Sequence, residues 1–235
     1  MSASSEPLPD WEEVLSAAAR LQRILPDAVL VGGTAAAIHA EHRLSRDADH
    51  VLTDLRHRFE AVLGELEVVA GWQTARARKP VLILGSLDGI ETGVRQLIRE
   101  KPLETMTLDH RGEALTIPTR AETLRIKAVL VLRRNATRDY LDFVAMATLI
   151  GDTSTGEALR PFDDFYPQPS GESALQQLQA QLASPLPYDL GDTELSEYRH
   201  LAPRWHDWQA VKAECMRLAD ATFNYVCEHG GSKAD

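Results

Sequence analysis

The chain has 235 residues, of which 44% are apolar and 26% are charged, and its formal net charge is −10 at pH 7. These values are typical of a soluble globular protein with one large domain or two small ones. No apolar run reaches the roughly 20 residues that span a bilayer, and the negative charge argues against a protein that coats nucleic acid over its whole surface.

The charge is distributed unevenly along the sequence. Residues 41–140 hold 17 Lys/Arg and 15 Asp/Glu, whereas the remaining segments hold 8 and 20. The acidic flanks serve either solubility or a charge-segregated binding face. Residues 1–9 read as a loose tail without the basic and apolar regions of a secretory signal. We therefore expect a cytoplasmic protein in which Cys215 and Cys227 stay reduced.

Apolar periodicity and chain breakers predict the elements of the first half. The predicted elements are a helix over 11–25, a strand over 28–31, a helix over 34–41, a strand over 47–53, a helix over 56–66, and strands over 81–84, 91–98 and 114–117. A basic run at Arg76, Arg78 and Lys79 precedes the third of these strands. This run is either a solvated edge or a contact for phosphates of a triphosphate or RNA.

Pro118 marks the predicted change from sheet to helices. This change divides the chain into a core over 1–117 and a helical region over 118–235 that completes the site and its cleft. Thr119 with Glu122 predicts a capping box at the start of the first of these helices, and Thr137 is a candidate cap for the next. Residues 151–171 read as a linker or a lid, and further helices are predicted over 172–183, 193–198 and 208–227.

Two features of residues 30–55 point to nucleotide chemistry. Gly32 and Gly33 stand between a strand and a helix, where open backbone N–H groups suit a phosphate. Asp47 and Asp49 lie two residues apart on the second predicted strand, so both carboxylates point to the same face. Clustered carboxylate oxygens are natural ligands for a hard divalent cation. A surface loop with an acidic pair is the alternative interpretation of the two aspartates.

This stretch resembles the core motif of the nucleotidyltransferase superfamily, specifically the AbiEii/AbiGii-type toxin branch. A second block, Glu122–Met146, resembles the later signature of that family, with a Lys, a helix, an Arg and an Arg-Asp-x-x-Asp. Residues of both blocks match family positions: Gly32, Gly33, Thr34, Arg43, Ser45, Asp47, Asp49, Lys127, Arg134, Arg138, Asp139 and Asp142. The resemblance covers about the first two thirds of the chain and implies a mixed α/β (α+β) nucleotidyltransferase-like sheet flanked by helices, followed by a mainly helical C-terminal region.

The resemblance also implies a set of roles. Asp47 and Asp49 are expected to hold Mg²⁺ or Mn²⁺, and Gly32, Gly33 and Ser45 are expected to contact the phosphates of an NTP substrate. Lys127 is expected to neutralise phosphate charge. The catalytic set is then Asp47, Asp49, Lys127 and Asp139, where Asp139 orients a base, a metal-bound water or an Arg. The nucleotide-binding set is Gly32, Gly33, Thr34, Arg43, Ser45 and Lys127.

Two positions leave alternatives open, one that departs from the family pattern and one that matches it. Gln96 stands where many nucleotidyltransferases have a third carboxylate, with Glu91 and Asp88 nearby, so the metal count is undetermined. For Asp142, a solvated ion pair with a neighbouring Arg is an alternative to a functional role.

Three function classes follow. The first is a toxin that transfers a nucleotide to RNA, expected at the tRNA 3′ end, and is restrained by an antitoxin protein. The second is an antibiotic-modifying nucleotidyltransferase, which an acidic pocket would favour. The third is a non-catalytic nucleotide-binding module, which Gln96 favours.

Overall fold

The computed structural model describes residues 10–229, which divide into two compact units. Among the described residues, unit 1 comprises 10–35, 44–98 and 105–117, and unit 2 comprises 36–43, 99–104 and 118–229. The tail predicted over residues 1–9 lies outside the described residues. No helix in the described part of the chain is both long and apolar enough to cross a membrane.

Unit 1 is built on a mixed five-stranded sheet. The elements from its N-terminus, in chain order, are α1 (Trp11–Ile24), β1 (Val29–Leu30), α2 (Gly32–Ala40, which continues into unit 2), β2 (Ala48–Leu52), α3 (Leu55–Glu67), β3 (Trp72–Arg78), β4 (Leu82–Leu87), β5 (Ile90–Gln96), β6 (Thr105–His110) and β7 (Glu113–Pro118). The strand order is β1-β2-β5-β4-β3, and only the β2–β5 pair of this sheet is parallel. Strands β6 and β7 form a separate two-stranded sheet.

The core of unit 1 forms where α1 and α3 cover one face of this sheet. Alternate residues of β2 are buried, which places Leu52 in a cluster with Leu21 of α1, Phe59 of α3 and Val94 of β5. Helix α1 begins at a capping box in which Asp10 and Glu13 exchange hydrogen bonds. Such a box satisfies backbone donors that the first turn of a helix leaves open.

Unit 2 is helical. Its helices after the short segments 36–43 and 99–104 are α4 (Arg120–Arg134), α5 (Thr137–Ile150), α6 (Asp152–Leu159), α7 (Phe162–Phe165), α8 (Ala174–Ala183) and α9 (Trp208–His229). Short 3₁₀ turns cover Leu190–Asp192, Leu195–Glu197 and Pro203–Trp205. The core contains Leu124, Phe143, Leu178 and Leu218, so each of the helices α4, α5, α8 and α9 contributes a buried face.

The predicted fold class is confirmed, because a mixed sheet with flanking helices precedes a helical C-terminal region. Two strands, β3 and β6, were not predicted. The linker or lid predicted over 151–171 is wrong, since α6 and α7 occupy most of that stretch. Thr137 is not the cap of α5: Ala136 holds the cap position, and the Thr137 hydroxyl donates to Asp189 Oδ1 at 2.8 Å.

Candidate active site

The turn between β1 and α2 requires glycine at its first position. Gly32 has φ +75°, a left-handed conformation that side chains with a Cβ rarely adopt. A Cβ at this position would lie 3.4 Å from the Asp49 Cβ and 3.6 Å from Asp49 Oδ2. Gly33 follows in the first turn of α2. The chain therefore brings the backbone of a helix N-terminus close to a carboxylate-bearing strand, as the sequence predicts.

A network of hydrogen bonds fixes the segment that leads into β2. The buried Thr34 hydroxyl donates to the Asp47 carbonyl oxygen, and Ser45 Oγ donates to Asp47 Oδ1 at 2.7 Å. The backbone N–H of Val31 donates to the Asp49 carbonyl oxygen at 2.8 Å. Unit 1 thus gathers all the residues predicted for it: Gly32, Gly33, Thr34, Ser45, Asp47 and Asp49.

Asp49 occupies the open face of β2. Ala48, His50 and Leu52 are buried, whereas Asp49 and Val51 alternate with them and are partly exposed. The Asp49 side chain is 25% exposed, and its Oδ1 lies 3.5 Å from an Arg95 side-chain nitrogen on β5. This alternation confirms that Asp49 and His50 point to opposite faces. Asp47 lies just before β2, which begins at Ala48 and not at the predicted residue 47. Sequence reasoning did not assign Arg95 to this place, which only the register of β2 against β5 reveals.

The same register shows why Gln96 supplies no third ligand. Gln96 pairs with Leu52 on the buried side of β2, whereas Gly93 pairs with Asp49 and Arg95 pairs with Val51. The Gln96 side chain accepts from the Arg56 N–H at 2.8 Å and donates to the Thr53 carbonyl at 2.7 Å. On the face of the carboxylates, β5 therefore presents a glycine and an arginine near Asp49.

The two aspartates fit one mode of metal binding. Within residues 10–229, no group of three or more Asp, Glu, His or Cys is placed to hold a metal by itself. Mg²⁺ typically binds through one or two carboxylates together with substrate phosphates and water. Asp47 and Asp49 beside an open glycine turn match that donor set.

In unit 2 a single buried carboxylate organises the predicted basic residues. Asp142 on α5 forms an ion pair with Lys127, whose Nζ lies 2.7 Å from Asp142 Oδ2. The Arg43 guanidinium donates to the same carboxylate, from Nε to Oδ1 at 2.7 Å and from Nη2 to Oδ2 at 3.0 Å. His42 Nε2 lies 2.8 Å from Asp142 Oδ1. All four side chains are almost fully buried. Arg43 also lies over the ring of Tyr198, 5.8 Å from its centroid.

The electrostatics of this cluster favour the ionised form of Asp142. Burial alone would raise the pKa of Asp142, but Arg43, Lys127 and His42 outweigh burial and hold that pKa well below its usual range. The ionised carboxylate therefore holds Arg43 and Lys127 together in one buried cluster.

Asp139 occupies a different place on the same helix. Its carboxylate is fully buried and accepts from Arg134 through Nε at 3.0 Å and Nη2 at 2.7 Å. The structure thus joins Lys127 and Arg43 to Asp142, and Asp139 to Arg134. Helical spacing alone does not distinguish the two aspartates, since both lie on the buried face of α5. The cluster around Lys127 is visible only in the tertiary contacts of α4 with α5 and with residues 42–43.

The chain is similar to a known protein family and to a solved structure. Residues 13–228 match the family model described as nucleotidyl transferase AbiEii toxin, type IV TA system. The crystal structure of an H. pylori protein assigned as a nucleotidyltransferase has the same fold, with a TM-score of 0.52 and 14% identity, covering 96% of this chain and 99% of that one.

Curated relatives are much longer than this chain. The heme uptake protein MmpL11 of Mycobacterium tuberculosis is 29% identical over 251 residues, covering 94% of this chain and 23% of that protein. The mycolic acid-containing lipids exporter MmpL11 of Mycolicibacterium smegmatis is 28% identical over 215 residues, covering 90% and 21%. The chain thus spans under a quarter of the length of these relatives.

The family match extends over both units and includes the glycine turn, the paired aspartates and the Lys127 cluster. The chain belongs to the nucleotidyl transferase AbiEii toxin family.

Proposed function

We propose that this nucleotidyltransferase moves a nucleoside monophosphate from an NTP to an RNA acceptor, at the 3′ end of tRNA, with a divalent metal ion. We propose further that it acts as the toxin of a toxin–antitoxin pair. The observation that carries the proposal is the Gly32 turn beside Asp49, with Asp47 held by Ser45. A helix N-terminus next to two carboxylates provides donors for phosphate and ligands for a cation in one place.

The reaction exchanges a phosphoanhydride bond of the NTP for a phosphodiester bond to the acceptor. An acceptor hydroxyl oxygen bonds to the α-phosphorus, the bond to the pyrophosphate oxygen breaks, and the hydroxyl proton is released. Mg²⁺ held by Asp47 and Asp49 would offset the negative charge of the triphosphate. Positioning and charge neutralisation carry such transfers, which suits a site without a dedicated catalytic histidine.

The residues of the chain divide this work. The N–H groups of Gly32 and Gly33 would contact phosphate oxygens, and the Ser45 hydroxyl would do so on exchanging its present acceptor, Asp47 Oδ1, for a phosphate oxygen. Lys127 and Arg43 would neutralise phosphate charge. Asp142 acts as a positioning residue, because it holds both cations without itself being exposed. The proposed role of Asp139 remains positional, through its bidentate contact with Arg134.

Incubation with labelled substrates tests the acceptor. The purified chain is mixed with each of the four α-³²P-labelled NTPs, Mg²⁺ and total RNA, and the products are separated by size. We expect label in a tRNA-sized band with one preferred nucleotide. Asp49→Asn should lower the transfer rate by at least about a hundredfold, as the loss of a key electrostatic group does in other enzymes.

The control is Glu65→Gln on the exposed side of α3, which removes one carboxylate away from the paired aspartates and should retain full activity. Label in a small molecule instead of RNA would replace the RNA acceptor with the antibiotic-type alternative. Binding of Mg²⁺–NTP without any transfer would favour a binding module. Growth of cells that express this chain, with and without the protein encoded by a neighbouring gene, tests whether that protein is an antitoxin.

A further inference from the structure

The corner between α4 and α5 presents three arginines to solvent. Arg133 and Arg134 end α4, and Arg138 lies in the first turn of α5, and all three are exposed at the residue level. Asn135 between them adopts the left-handed conformation at φ 50° and closes α4 through its N–H to the Val131 carbonyl. Arg134 is paired with Asp139. Arg133 and Arg138 are therefore the two arginines of this corner that we consider for contact with a ligand in solvent.

A second segment presents two apolar side chains beside this corner. In the loop after α8, Pro185 and Pro187 are buried, whereas Leu186 is 74% exposed and Tyr188 is 75% exposed. Buried prolines alternate with exposed Leu and Tyr, and proline restricts the backbone. The loop therefore holds a tyrosine ring and a leucine side chain in solvent, where burial gives them no stabilisation.

Hydrogen bonds fix this loop to the corner. The Tyr188 N–H donates to the Asn135 carbonyl at 3.0 Å, and the Asn135 side-chain amide donates to the Leu186 carbonyl at 2.8 Å. Asp189 accepts from both the N–H and the hydroxyl of Thr137 at 2.8 Å. The carboxylate of Asp189 thereby holds the loop against the start of α5, next to Arg138 in the sequence of that helix.

Helix α5 connects the corner to the cluster around Asp142. Arg138 lies about one helical turn before Asp142 on this helix. Arg43 contacts both Asp142 and the ring of Tyr198. A strand that crosses the corner would lead to the cations to which the proposed function assigns phosphate charge.

We propose that Arg133, Arg138, Leu186 and Tyr188, called here the corner surface, bind the single-stranded end of the RNA acceptor. This inference rests on the proposed function and names the surface that holds its acceptor. Arginine contacts phosphates, and an exposed aromatic ring stacks on an unpaired base regardless of sequence. Two exposed arginines beside an exposed aromatic ring form a small local contact, which suits the end of a strand in a chain whose net charge is −10.

Fluorescence anisotropy with a 5′-labelled single-stranded RNA 12-mer tests the corner surface without any need for transfer. Tyr188→Ala should weaken binding by roughly fivefold to a hundredfold, which is the usual effect of losing one base–aromatic stack. Tyr188→Phe should keep the affinity, and Tyr188→Leu should lose it, because a leucine side chain has no ring to stack. Arg138→Ala should lower the salt dependence of binding by roughly 0.7 in log–log slope.

The controls come from the same unit. Phe223 is an exposed aromatic residue on α9 and Arg160 is an exposed arginine at the end of α6, so Phe223→Ala and Arg160→Ala should bind RNA as wild type does. Equal affinity of wild type and Tyr188→Ala would overturn the inference. So would full affinity in Tyr188→Leu, which would point to a protein partner on an apolar patch.

The two proposals fail in different ways. If RNA binds at the corner surface but no nucleotide is transferred, the proposed function fails and the surface stands. If nucleotide is transferred to RNA with wild-type efficiency by Tyr188→Ala and by Arg138→Ala, the surface is refuted and the proposed function stands.

Discussion

His50 follows Asp49 on β2, and its ring lies on the opposite, fully buried face of the sheet. Burial lowers its pKa from 6.5 to about 4. As the pH falls, His50 is therefore protonated near pH 6.5 in the unfolded chain but only near pH 4 in the folded chain. The contribution of neutral His50 to the free energy of unfolding is fully present above pH 6.5. It decreases as the pH drops from 6.5 to 4 and changes no further below that range.

For this shift of the His50 pKa, the free energy of unfolding is expected to fall by about 3 kcal/mol. Urea unfolding at pH 7.0 and 4.5, on wild type and on His50→Leu, measures it. The variant should lose less stability than wild type over that interval. An equal loss in both proteins would show that His50 does not titrate in this way.

Asp142 and Asp139 make a matched pair for a second test. Asp142→Asn leaves Arg43 and Lys127 buried without a carboxylate, and removal of one member of a buried ion pair typically costs about 3–5 kcal/mol. Asp139→Asn should cost less, because its partner Arg134 is partly exposed to water. Urea midpoints of the two variants decide the order, and a larger loss for Asp139→Asn would contradict the assignment of Asp142 as the centre of the cluster.

At the scale of elements, substitution of alanine for glycine is expected to have opposite effects on stability at two helical positions. A Cβ on Gly156 of α6 would lie 2.3 Å from the Tyr225 ring of α9, whereas a Cβ on Gly64 of α3 would meet nothing within 4 Å. Gly156→Ala should destabilise the protein by about 1–3 kcal/mol through overpacking. Gly64→Ala should stabilise it by about 0.5–1 kcal/mol, since alanine favours a helix. Thermal unfolding of both variants measures the signs, and stabilisation by Gly156→Ala would refute the close approach of α6 and α9.

Sequence patterns predicted those elements whose residues alternate or repeat against a buried face. Strand β2 alternates clearly, and α1 and α4 have apolar stripes and good caps. Strand β3 has only Trp72 buried, so its pattern reads as a solvated basic run. Helix α6 carries Thr, Ser and Gly, which are weak helix formers, and it packs against α9 through Gly156, which no local pattern reveals.

The candidate site likewise contains residues that the sequence pattern predicted and residues whose place depends on tertiary contacts. Motif spacing located Gly32, Ser45, Asp47 and Asp49, because these residues lie within one short strand–turn–helix segment. It could not separate Asp139 from Asp142, since the distinction depends on Lys127 and on Arg43, which is 99 residues from Asp142 in the chain. The place of Arg95 also depends on strand register, which sequence does not specify here.

At the scale of the whole molecule, the metal should act together with the nucleotide. Two carboxylates give a weak site, so Mg²⁺ alone should leave the melting temperature nearly unchanged. Mg²⁺ with saturating NTP should raise it by roughly 5 °C, the shift expected at about a hundredfold excess over the Kd. Differential scanning fluorimetry with and without EDTA measures this, and a large shift with Mg²⁺ alone would reveal a preformed metal site.

We propose above that this chain transfers the nucleotidyl group of an NTP. Parallel reactions with α-³²P-labelled and γ-³²P-labelled NTP, in Mg²⁺ with total RNA, show which phosphate is transferred. We expect α-label to enter the acceptor and γ-label to be released as pyrophosphate, and we expect Asp49→Asn to slow both at least about a hundredfold. Transfer of γ-label to the acceptor, or α-label transfer that Asp49→Asn does not slow, would contradict this proposal.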